Sequence, residues 1–141
     1  MADIHRILAD HRPKSNNNES PDKQVEDVPT ATHSEIPDLF FDEVLVKTKF
    51  TRLEIVVFMY IYRRTWCRPN LHKEFGISQL LSHNEMAHNL SVEIDQVLHA
   101  LRRLEELNFI STIRSGQYFI RKYFTKENDD LYGQNYHDFE L

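Results

Sequence analysis

Two helix-start signals of one type, Thr51-x-x-Glu54 and Ser82-x-x-Glu85, constrain this chain more than any other feature. In each, the hydroxyl can accept from the backbone N–H three residues on, while the Glu carboxylate accepts from the N–H of the capping residue. Two orphan donors of a helix end are then satisfied together. Phe50 with Ile55, and Leu81 with Met86, occupy the flanking positions of a hydrophobic staple, so helices are expected from Arg52 and from His83. The first should run to about Trp66. Leu53, Val56, Val57, Met59, Tyr60 and Ile61 leave it little polar surface before Arg63 and Arg64, which makes it the centre of a core. The second should run to about Asn89.

Ser91 follows directly and is the N-cap expected for a third helix. Ile94, Val97, Leu98, Leu101, Leu104 and Leu107 keep helical spacing for about four turns, and Asn108 suits the left-handed conformation that closes such a helix. Phe109 to Arg114 and Gln117 to Phe124 are rich in β-formers and are joined by Ser115-Gly116, a two-residue hairpin connection. Pro69 stops the first helix, and Cys67 to Gly76 reads as a polar and basic loop. The expected order is helix, helix-turn-helix, hairpin: a mainly α domain with a small β-hairpin over residues 38–124. Leu39, Phe40, Phe41, Val44 and Leu45 open that domain and serve either its core or a homodimer surface.

The ends differ in composition. Residues 1–37 read as a largely disordered acidic segment, because His11 to Pro37 holds four prolines and three consecutive asparagines but little that can be buried. Ile4, Ile7 and Leu8 form a short apolar stripe, either a frayed terminus or a docking peptide. From Thr125 to Leu141, Glu127, Asp129 and Asp130 are mixed with Tyr132, Tyr136 and Phe139. This stretch is expected to be a solvated acidic tail; the alternatives are a partner-docking element or an autoinhibitory cover for a basic surface.

Charge is segregated accordingly. Val46 to Phe124 carries 12 Lys and Arg against 7 Asp and Glu, whereas Met1 to Leu45 carries 4 against 10 and the stretch from Thr125 carries 1 against 5. A basic middle between acidic ends suits a small nucleic-acid-binding module. No stretch approaches the roughly 20 apolar residues of a membrane span, and the start lacks the pattern of a secretory signal, so a cytoplasmic protein is expected. The single cysteine, Cys67, rules out an internal disulfide and has no base assignable to it.

Three stretches, SHNEMAHNL (82–90), SVEIDQVLHALRRLEELNFI (91–110) and the hairpin STIRSGQYFIRKYF (111–124), together resemble the winged helix-turn-helix superfamily of DNA-binding domains. In its generic pattern a capped recognition helix ends in Leu-x-x-Leu-x-x-x-Gly-Phe/Leu-Ile before the wing, and here Asn108 stands in the glycine position. The run LEIVVFMYIYRRTW (53–66), followed by a polar loop and Ile77-Ser78-Gln79-Leu80, is similar to amino-terminal domains of phage replication proteins of the O type and to DnaD-like proteins. Regulators of the MarR type share the later half equally well. The resemblance implies binding of double-stranded DNA in transcription regulation or replication. It also implies that the second motif helix enters the major groove while the wing touches phosphate.

On that helix Gln96, His99 and Arg103 recur at three- and four-residue steps with Arg102 beside them, and they are the candidates for base and backbone contacts. Ala100 also falls outside the apolar stripe. Glu93 and Asp95 near the helix start oppose a polyanion. On the wing, Arg114 and Gln117 flank the tip and Arg121 and Lys122 follow on the return strand, a basic edge for phosphate. The rival reading is a protein-interaction or dimerisation module that does not bind DNA. No enzyme, cofactor or metal is expected. His83 and His88 are five apart, about 140° around a helix, and the three glycines are too scattered to cradle a phosphate.

Overall fold

The computed structural model describes residues 28–137. The Ile4, Ile7, Leu8 stripe and most of the acidic segment lie outside the described residues. Residues 28–33 belong to a separate unit and carry neither helix nor strand. The second unit begins at Ser34 and is a mainly helical domain with a two-stranded antiparallel hairpin after its helices.

Helix α1 consists of a π-helical turn, Phe40–Val44, and an α-turn, Leu45–Lys47. Phe40 and Val44 enter the core, while Phe41 and Val46 remain exposed. Helix α2, Arg52–Tyr62, starts on the expected capping box: Glu54 N–H donates to Thr51 Oγ1 at 3.1 Å and Thr51 N–H donates to Glu54 Oε1 at 3.0 Å. It continues as a π-helical turn, Arg63–Cys67. Val57, Phe58, Ile61 and Tyr62 are sealed, so α2 is the central element that its apolar run implied.

Helix α3, His83–Leu90, is capped by Ser82 Oγ, which accepts from Glu85 N–H. Ser91 does not cap the next helix; it ends α3 in the left-handed conformation, at φ 58°. Glu93 takes the N-cap role for helix α4, Ile94–Glu106, with Gln96 at the position three residues on. The reason is economy of turn: a left-handed Ser91 reverses the chain at once, and Val92 N–H then bonds back to Ala87 O. Asn108 does take positive φ, at 67°.

Strands β1, Ile110–Arg114, and β2, Gln117–Ile120, pair around Ser115-Gly116. The segment Gly76 to Ser78, expected to belong to a loop and its exit, adds a short third edge. Ser78 N–H donates to Tyr118 O, Ile120 N–H donates to Gly76 O, and Ile77 bridges Phe119. At the tip, Leu81 N–H reaches Gly116 O at 2.6 Å, and a Cβ on Gly116 would stand 2.5 Å from Leu81 O. Glycine is required there by that approach as much as by its φ of 87°.

The stretch from Thr125 is not a solvated tail as far as it is described. Helix α5, Lys126–Leu131, is capped by Thr125 and buries Asp129. Beyond it, Tyr136 lays its ring edge-on against Phe119, 5.1 Å between centroids, and beside Gly76. The apolar content of Tyr136 outweighs the solvation of the surrounding acids once Asp129 has donors.

Candidate nucleic-acid interface

Helix α4 is fixed by Val97, Ala100, Leu101 and Leu104, all buried against α2 and α3. Ala100 therefore belongs to the inner face, not the outer one where its place in the sequence put it. With the inner side fixed, the 100° step per residue puts Asp95, His99, Arg102 and Glu106 on the outermost row. Gln96 and Arg103 flank that row on one side, and Ile94 and Leu98 on the other. All eight are exposed, including Ile94 at 37% and Leu98 at 38%, which the apolar periodicity had assigned to the core. The four helix candidates are thus brought together on one accessible surface.

Their chemistry is more constrained than their exposure. Gln96 Oε1 accepts from Glu93 N–H at 2.9 Å, so its acceptor is committed to capping and only its amide N–H groups remain to give. Bidentate recognition of adenine would require it to leave the cap. Arg103 lies 3.9 Å from Glu106, a loose and exposed pair that costs little to break. Arg102 and His99 have no such partner among the described residues.

The hairpin candidates divide. Arg114 is exposed at the tip and donates to Gln117 Oε1 at 3.0 Å. Gln117, expected on the basic edge, is 1% exposed, and its amide donates to Ser78 O at 3.1 Å. It stitches β2 to the Ser78 edge and cannot reach a ligand at the surface. Arg121 donates to Asp129 Oδ2 at 3.1 Å, with its side chain 29% exposed and that of Asp129 only 1%. Lys122 turns its ammonium over the rings of Trp66 and Tyr123. The basic edge is therefore reduced to Arg114: the Ser78 edge holds Gln117, Asp129 of α5 holds Arg121, and the Lys122 ammonium lies over Trp66 and Tyr123.

Asp129 is the centre of that arrangement. Besides Arg121 it accepts from Tyr123 N–H at 3.1 Å and from the Tyr136 hydroxyl at 2.6 Å, while the same hydroxyl accepts from Lys122 N–H at 2.9 Å. Burial, and then the hydrogen bond given to Asp129, hold the Tyr136 pKa well above its usual 10.0; burial does the same for Tyr62. The folded state keeps these protons longer than the unfolded chain. Their contribution to stability is whole below pH 10 and is lost as pH rises beyond it. Melting temperature should accordingly fall with pH above that point, and Tyr136→Phe should make the fall shallower; an unchanged slope in this variant would contradict the assignment.

Electrostatics follow from the same folding back. Between Ser34 and His137 the domain carries 13 Lys and Arg against 14 Asp and Glu, so the basic excess of the middle is cancelled by the segments on either side of it. Among the described residues no group of three potential metal ligands converges. His83 bonds the Tyr118 hydroxyl at 2.6 Å, and Cys67 Sγ lies 3.3 Å from Glu35 O, with burial raising its pKa. No helix among the described residues is long and apolar enough to cross a membrane. No family model, curated protein or solved structure matches this chain.

Proposed function

We propose that this chain is a non-catalytic winged helix-turn-helix protein that binds double-stranded DNA, acting in transcription regulation or replication. The observation that carries the reading is the exposed polar face of α4, where His99, Arg102, Arg103 and Gln96 stand together on the second of two tightly joined helices. A helix of this diameter fits the major groove, and Arg102 and Arg103 supply the donors that guanine edges and phosphates accept. Arg114, at the tip of the hairpin, is the wing contact in this reading. Arg121, Lys122 and Gln117 are not, because each is held in another role.

A protein-interaction module is the second reading, and one observation favours it. Ile94 and Leu98 form an exposed apolar step beside Asp95 and Glu105, on a domain without net basic charge. Fluorescence anisotropy of a mixed-sequence duplex, titrated with the full chain at several salt concentrations, separates the two. Under the DNA reading binding saturates and weakens with salt, and Arg102→Ala/Arg103→Ala lowers affinity by about tenfold or more. No binding at low salt, or binding indifferent to that double substitution, would reject α4 as the DNA contact.

A further inference from the structure

Between the end of α2 and the chain leaving β2 lies a cleft of ≈ 660 Å³ with an aromatic and charged lining that the duplex reading does not use. Trp66 and Tyr123 contribute partly exposed rings beside the sealed Tyr62, Lys73 and Lys122 contribute positive charge, and Glu35 and Asp38 contribute negative charge. The rings are held in place. The Trp66 indole N–H donates to Ile120 O at 3.0 Å, and the Tyr62 hydroxyl donates to Lys122 O at 2.8 Å. Lys122 Nζ sits 5.9 Å from the Trp66 centroid and 5.7 Å from that of Tyr123, straddling the two rings. Among the described residues neither Lys73 nor Lys122 is paired with a carboxylate.

Flat π surfaces beside two ammonium groups that form no direct ion pair suit a ligand that is itself flat and bears an anion. An apolar ligand would leave the lysines without purpose, and a bare anion would leave the rings so. We propose that this cleft seats an unpaired nucleotide, its base against Trp66 and Tyr123 and its phosphate at Lys73 and Lys122. A base within a duplex has both faces covered by its neighbours and cannot enter; an unstacked one can. Glu35 and Asp38, from the segment leading into α1, supply acceptors at the same cleft for a base amino group or a sugar hydroxyl. The site is separate from the α4 surface and does not rest on the duplex reading.

Trp66 is the single tryptophan of the chain, so its fluorescence reports on this cleft alone. The full chain is titrated with single-stranded oligothymidylate and, separately, with thymidine monophosphate. The expected result is saturable quenching that salt relieves, with affinity lowered about tenfold or more in Lys73→Glu/Lys122→Glu, as loss of phosphate neutralisation requires. Lys73→Ala, at an exposed position, gives a smaller loss in the same direction and keeps the test independent of folding. Tighter quenching by the oligomer assigns the nucleotide to a strand; equal quenching by the monophosphate assigns it to a free nucleotide; either supports the site. Arg102→Ala/Arg103→Ala should leave the quenching as it is, so failure of the duplex reading and failure of this one are seen separately. Absence of quenching by both probes, or quenching undiminished in the two lysine variants, overturns the proposal.

Discussion

Asp129→Ala is expected to cost about 3 kcal/mol of folding stability and to lower the melting temperature by roughly 15 °C in a domain of this size. The carboxylate is 1% exposed and satisfies Arg121, Tyr136 and the Tyr123 backbone at once, so its removal strands a guanidinium and two further donors. Arg121 recovers part of the loss by swinging toward solvent, which is why the figure sits at the low end for a broken buried pair. Asp129→Asn keeps the shape and one acceptor and should fall between the two. Urea titration followed by circular dichroism gives the free energies, and limited proteolysis gives the location. The alanine variant should be cut after Phe124 while the rest of the domain survives. A variant that melts with the wild type would show that the residues after β2 add nothing to the fold.

Phe124 should invert the usual order of core truncation. It is fully buried, stacked on Tyr62 at 5.0 Å and 26°, and set against Phe40 and Phe58, yet its φ is 78°. A bulky side chain holds that backbone only where packing over-determines it. Phe124→Ala loses the packing, about 3–5 kcal/mol, and keeps the left-handed penalty of about 1–2 kcal/mol. Phe124→Gly loses the same packing and sheds the penalty, so it should be more stable than the alanine variant by about 1 kcal/mol. Chemical denaturation of the two variants side by side decides it. If alanine is the more stable, the positive φ carries no strain.

The α2 start, the α3 start and the Asn108 turn were legible because each depends on residues within one turn of one another. Ser91 misled because a serine between two helices suits either the end of one or the start of the next, and Val92 N–H bonding back to Ala87 O decides between them. The candidates on α4 came from periodicity and proved accessible together. Those expected on the return strand did not, because β2 ends at Ile120, before Arg121 and Lys122, and alternation along a strand does not say what covers a face. Gln117 is buried by the Ser78 edge, and Arg121 is paired with Asp129, eight residues further on. The nucleotide-sized cleft has no local signal at all. Trp66, Lys73 and Lys122 meet only through the packing of α2 against the chain leaving β2.

The bond from Leu81 N–H to Gly116 O ties the hairpin tip to the residue that opens the α3 start. The tip that carries Arg114 is thereby joined to the helix pair that presents the outer row of α4. A surface engaged by both is met at the spacing that this bond helps to set.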